Sequence, residues 1–213
     1  MDTKQRLIEG AIEAIRTHGI AGVSARTVAA AAGVNQALVF YHFGTVDELL
    51  STACQTATER RVAGYRDRLR AVGSLRELLD LGRTLHAEER EQGNVTVLAQ
   101  LLAGAQTDQR LAAPVAAALR LWTDEIEGVL HRVLDASVLR DVADPAGLAH
   151  AVSAAFIGLE LYEGVDPAGA TAALDALDRL AVLVDVVEDL GPMARRALQT
   201  RTRRTARRAA PRA

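Results

Sequence analysis

Residues 24–50 read SARTVAAAAGVNQALVFYHFGTVDELL, and how this stretch folds decides how the whole chain is read. Two short apolar-striped segments meet at Gly33 and Val34, and an aromatic-rich end, Phe40 to Phe43, follows. Ser24 suits the N-cap of a helix running to about Ala32, with Val28, Ala29 and Ala32 turned inward. Gly33 supplies the left-handed turn that a side chain would oppose. Asn35 then caps a third short helix ending near Tyr41, and Thr45 with Glu48 forms a capping box for a fourth from Val46. A tight turn between two short helices is how a helix-turn-helix offers its second helix to the DNA major groove.

Working outward, an opening helix from about Thr3 to Thr17 places Leu7, Ile8, Ala11, Ile12 and Ile15 on one face. Asp2 is its expected cap and Gly19 its stop. Beyond Val72 the signals stay helical. Ser74 and Glu77 open a helix to about Glu91, a short apolar helix spans VTVLAQLLAGA, and a long amphipathic one runs from about Pro114 to Ala136. Asp144-Pro145 and Asp166-Pro167 open the last two, about 145–162 and 171–190. The prediction is an all-α chain of about nine helices without internal repeats.

Composition agrees. Apolar residues make up 49% and aromatics 3%, so Ala, Leu and Val must fill the interior, a mixture that favours helices over strands. Charged residues interrupt every apolar run, so no transmembrane span is expected. The single Cys54 excludes an intrachain disulfide, and with no signal-peptide core at the N-terminus a cytoplasmic location is expected.

The formal net charge of −2 conceals segregation. Residues 1–61 carry six basic and six acidic side chains, residues 62–193 carry 11 Arg against 21 acids, and residues 194–213 carry eight Arg and no acid. An anionic polymer would therefore be met locally, not by the protein as a whole. The expected organisation is a helix-turn-helix domain over 1–50, a ligand-binding and dimerisation domain over 51–193, and a disordered Arg-rich tail over 194–213.

On the third helix Gln36, Ala37 and Leu38 occupy the first turn, the part that meets base edges. Gln pairs with an adenine edge and Leu38 suits a thymine methyl. Arg26, Tyr41, His42 and Thr45 flank them as phosphate contacts, while Val34, Val39 and Phe43 are assigned to the core.

Residues 4–50 resemble the N-terminal domain of the TetR family of one-component transcriptional repressors. The resemblance rests on the opening helix, GIAGVSARTVAAAAGV, the helix ending in FYHF-G-T, and the start DELL. It implies an all-helical homodimer with a small DNA-binding domain and a larger ligand-binding domain, its partners being a double-stranded operator and a small hydrophobic effector. Carried over by position, it puts base reading on Gln36, Ala37 and Leu38 and backbone contacts on Arg26, Phe40, Tyr41 and His42, with Ser24, Asn35 and Thr45 completing the DNA-facing set. Two positions depart from the pattern. Leu38 stands where a small hydroxyl residue is usual, and Val46 where a Lys is usual, which removes one phosphate contact.

Candidates for an effector pocket are Leu85, His86, Leu98, Leu101, Leu102, Trp122 and Ile126. The last two helices, with Phe156, Leu174, Leu177, Ala181 and Val184, are the expected dimer interface. His86, His131 and His150 have no carboxylate or Cys at ligand spacing, so no metal or other cofactor is expected. Nor does any nucleophile–base pair or phosphate loop mark an enzyme. The competing reading is a helical enzyme or a ligand-binding module without DNA binding, which the balanced charge of residues 1–61 favours.

Overall fold

A computed structural model of the chain describes residues 2–135, 137–140 and 143–209. It contains ten α-helices, one 3₁₀ turn and, among the described residues, no strand. The helices are α1 (Thr3–His18), α2 (Ala25–Ala32), α3 (Ala37–Phe43), α4 (Val46–Ala71), α5 (Leu75–Glu91), α6 (Asn94–Thr107), α7 (Gln109–Asp135), α8 (Pro145–Glu163), α9 (Pro167–Glu188) and α10 (Pro192–Ala209). The 3₁₀ turn, Ile20–Gly22, lies between α1 and α2. Among the described residues no helix is long and apolar enough to cross a membrane.

The expected caps are mostly in place. Ser24 accepts from the Thr27 amide at 3.2 Å while the Thr27 hydroxyl accepts from the Ser24 amide at 2.9 Å, a reciprocal box. Gly33, at φ 63° and ψ 41°, ends α2. Asp2 precedes α1 but its side chain makes no capping bond. Helix α7 begins earlier than Pro114, because the Asp108 carboxylate takes the Arg110 amide at 3.0 Å and starts the helix upstream. Pro114 then lies inside the helix, in its second turn, where proline removes one helical hydrogen bond. Helix α9 starts at Pro167, with Asp166 accepting from the Gly169 amide at 2.9 Å.

Residues 192–209 form α10 where a disordered tail was expected over 194–213, and residues 210–213 lie outside the described residues. That expectation counted only missing hydrophobes. Residues 192–209 hold seven Arg and four Ala, both strong helix formers, and Pro192 stands at the first position.

The chain divides into two compact units, each described separately. The first comprises Met1–Tyr65 and Ala87–Trp122. Its core joins Leu7, Ala11 and Ile15 of α1, Val28 and Ala29 of α2, Val39 of α3 and Leu49 of α4. Val97 and Leu101 of α6 and Leu111 and Val115 of α7 belong to the same cluster. The helix-turn-helix thus shares its core with residues from far along the chain. Gln100 of α6 accepts from the Ile20 amide of the 3₁₀ turn at 3.3 Å.

The second unit comprises Arg66–His86 and Thr123–Ala213. Leu130 and Leu134 of α7 pack with Ala149 of α8, and Leu75, Leu78 and Ile126 lie against them. Arg83 of α5 pairs with Asp178 of α9 at 2.6 Å and donates to the Leu174 carbonyl. Arg66 pairs with Glu125 at 2.7 Å.

Helices α1 and α2 cross at Gly10. A Cβ there would stand 2.8 Å from Ala32 Cβ and 2.9 Å from both Ala32 N and Val28 O, so backbone would have to move. Overpacking costs typically 1–3 kcal/mol, against about 1 kcal/mol gained by replacing a helical glycine with alanine. Gly10→Ala is therefore expected to lower the urea midpoint, whereas Gly64→Ala, with nothing within 4 Å of its added Cβ, should raise it. Equal gains in the two variants would show that α1 and α2 do not cross this closely.

Candidate nucleic-acid interface

The second helix of the motif is held from behind and open in front. Val39 is fully buried, while Gln36, Ala37, Phe40 and Tyr41 are exposed, Tyr41 at 81%. Asn35 Oδ1 accepts from the Ala37 amide at 2.8 Å, so the sequence-assigned cap is present at the start of α3. Thr45 Oγ1 accepts from the Glu48 amide at 3.1 Å and starts α4. Tyr41 and His42 meet edge to face, centroids 5.0 Å apart, and Arg26 is exposed on the first turn of α2.

Two assignments look different in three dimensions. Leu38 is half-buried and packs against the core, so only part of its side chain is available to a thymine methyl. Val46, at the departure from the usual Lys, also packs against this core, so an apolar contact stands where a phosphate contact would be. Val34 and Phe43 lie partly buried against the same cluster, in line with their core assignment.

Three cations near the motif were not found from sequence. The Arg6 guanidinium donates to the Ala32 and Gly33 carbonyls, both at 2.8 Å. These are carbonyls that the end of α2 leaves open, and a cation is favoured there by the helix dipole as well. Lys4 Nζ stands 5.6 Å from the Phe43 ring centroid, the range of a cation–π contact. Arg110 of α7 reaches Asp47 at 2.9 Å, offsetting an acid at the start of α4. Arg110 also holds the Asp108 carboxyl below its usual range, and Asp108 raises Arg110 in return.

The pocket candidates fall in both units. Leu98, Leu101, Leu102 and Trp122 belong to the first, and Leu85, His86 and Ile126 to the second. In the first unit Trp122 lies 5.8 Å from Tyr65, whose hydroxyl donates to Glu89 at 3.0 Å, and Glu89 also pairs with Arg61. Burial and the carboxylates of Glu89 and Glu88 push the Tyr65 phenol up to about 12.

In the second unit the sequence reading of an isolated His86 is corrected. His86 is buried, its Nε2 lies 2.6 Å from Glu163, its Nδ1 is 3.7 Å from Glu160, and Phe156 packs edge-on at 5.9 Å. The carboxylates come from α8, too far along the chain for a spacing rule to find. Among the described residues no three such side chains are placed to hold a metal ion.

Of the five interface candidates only Leu177 is exposed. Ala181 is buried within the chain, and Phe156 faces His86. Among the described residues the large exposed apolar side chains of α9 are instead Leu177, Leu180, Val182, Leu183 and Val186, and those of α8 are Leu148, Val152, Leu161 and Tyr162.

A buried anchor at Val39, an exposed edge on α3 and capped turns on either side define a DNA-binding regulator of the helix-turn-helix class. Residues 7–53 match the family model described as "Bacterial regulatory proteins, tetR family". The fold of most of the chain matches known structures. A protein from Rhodococcus sp. described as a TetR-family transcriptional regulator is 25% identical, with a TM-score of 0.70 over 85% of this chain and 97% of that one. The multidrug binding protein EbrR, complexed with imidazole, is 26% identical, with a TM-score of 0.61 over 84% of this chain and 95% of that one. The transcriptional regulator FadR from Bacillus subtilis, in complex with stearoyl-CoA, is 12% identical and shares the fold, with a TM-score of 0.66 over 81% of this chain and 96% of that one. No curated protein matches the chain. Residues 7–53 are thus similar to the DNA-binding region of the tetR family of bacterial regulatory proteins, and the chain shares the fold of these solved regulators.

Arg6→Met keeps the aliphatic stem and removes the donors to the turn. Loss of these charge-assisted bonds is expected to cost about 1 kcal/mol, discounted for partial exposure, and to speed amide exchange at Gly33 and Val34. Unchanged exchange there would mean that the turn holds without Arg6. For Tyr65 the sign follows from a folded-state pKa above the ordinary phenol value of about 10: stability present below pH 10 is lost as pH rises towards about 12. Tyr65→Phe should flatten the denaturant midpoint across that window.

Proposed function

We propose that the protein is a homodimeric repressor that grips a pseudo-palindromic operator and leaves it when a small hydrophobic ligand binds. The observation that carries the DNA half is the α3 edge. Gln36 and Ala37 are exposed in its first turn, while Val39 on the far side is fixed in the core. Gln36 reads a base edge, Ala37 and the open part of Leu38 make apolar base contacts, and Arg26, Phe40, Tyr41, His42 and Thr45 set the register on the backbone. Ser24 and Asn35 act by fixing the two helix starts.

The dimer reading is supported by the exposed aliphatic residues of α9, among them Leu180 at 59% and Leu183 at 61%, which a monomer would leave in water. A two-fold pair buries the same face twice and presents two heads to two half-sites. Residues 1–50 form the reading head in this account, and 51–193 carry effector binding and dimerisation.

The effector reading is supported by polar groups set among apolar ones: His86 with Glu160, Glu163 and Phe156 in one unit, and Tyr65, Glu89 and Trp122 in the other. EbrR with imidazole and FadR with stearoyl-CoA show that relatives in fold take small molecules. The ligand acts by binding the DNA-released geometry more tightly than the DNA-bound one.

Fluorescence anisotropy on duplexes from the region upstream of the protein's own gene tests the DNA half. Gln36→Ala is expected to weaken operator binding about tenfold to a hundredfold while leaving random duplex nearly unchanged, whereas Tyr41→Ala, at a backbone contact, should weaken both. Equal, weak binding of every duplex by wild type and variant would sink the repressor reading. For the dimer, Leu180→Asp with Leu183→Asp should shift the chain to monomer in sedimentation. A true effector raises the melting temperature and also weakens operator binding.

A further inference from the structure

We propose that α10 is a second nucleic-acid surface, an arginine helix that binds duplex DNA through phosphates without reading bases. This goes beyond the operator reading, since it requires nothing of the head. Residues 194–213 carry eight Arg and no acid, whereas residues 62–193 carry 21 acids against 11 Arg. Seven of those eight Arg lie on α10, Pro192–Ala209, 18 residues or about 27 Å at 1.5 Å per residue. That length is close to one turn of duplex, about 34 Å.

Arg196 and Arg204 are exposed and make no ion pair with a described residue. Among the described side chains of the helix, Arg195, Leu198, Gln199 and Thr202 are half-buried, so a largely uncharged side lies towards the protein, while Arg196, Arg201 and Arg204 are exposed. Like charges this dense repel one another, and a polyanion relieves that repulsion while releasing its own condensed counterions.

The chemistry favours duplex phosphate over other anionic surfaces. The planar guanidinium pairs with phosphate oxygens in a bidentate fork, and every cation of the helix is Arg. A helix that lies in a membrane interface needs a broad apolar face with bulky anchors, and this one offers only Met193 and Leu198. The chain also reads DNA with its N-terminal head, so the polyanion is already its partner.

The test measures binding of the full chain to operator and to random duplex of equal length, from 0.05 to 0.3 M salt. Arg196→Gln/Arg204→Gln keeps two good helix formers and removes two cations. The slope of log K against log salt on random duplex is expected to fall by about two for each protomer bound, and affinity at 0.1 M salt by tenfold or more, with the operator-to-random ratio preserved. The head variant Gln36→Ala should do the reverse, losing the ratio and keeping both the affinity and the slope on random duplex. Failure of the head reading and failure of the α10 reading therefore look different. An unchanged slope in the α10 variant overturns the proposal. So does a lowered melting temperature with the slope intact, which would mean that the arginines hold the protein's own acidic surface. Retention on vesicles of anionic phospholipid without retention on random duplex would likewise assign the helix to membranes and overturn it.

Discussion

Two hydrogen bonds from one guanidinium hold the turn on which the reading head depends. The end of α2 leaves carbonyls without helical partners, and Arg6 of α1 takes those of Ala32 and Gly33. One turn further along α1, Gly10 lets the two backbones meet. Close approach and clamp therefore act together: α1 sets both the distance to α2 and the angle at which the chain leaves it. Everything that makes α3 a reading helix lies downstream of that turn, from the Asn35 cap to the burial of Val39.

The parts of this head legible in the sequence are those whose physics is local. A left-handed Gly33, a Ser24 cap, an Asn35 oxygen facing the next turn and a Thr45–Glu48 start each act within a few residues, so spacing reveals them. Arg6 acts 26 residues away on carbonyls that no pattern marks, and His86 meets a carboxylate 77 residues distant. Leu38 and Val46 were legible as departures from a pattern, but not as residues whose side chains lean on the core.

The same division between near and far explains the other differences. The Arg-rich C-terminal segment was judged by its missing hydrophobes, a criterion for packing, while its backbone follows helix propensity. On α9 the apolar residues were legible, but which of them point inward was not. An all-apolar stretch has no polar side to set its phase, and Ala181 turned out buried while Leu180 and Leu183 are exposed.

The shared core of the first unit bears on modularity. Val97, Leu101, Leu111 and Val115 close the same apolar cluster as Leu7, Val28 and Val39. A reading head cut out after its fourth helix begins would carry an open wound of aliphatic surface. Grafting this head onto another effector domain would therefore succeed only where the recipient supplies matching helices at the same depth. For this head, transfer to another chain is limited less by the linker than by what closes this cluster.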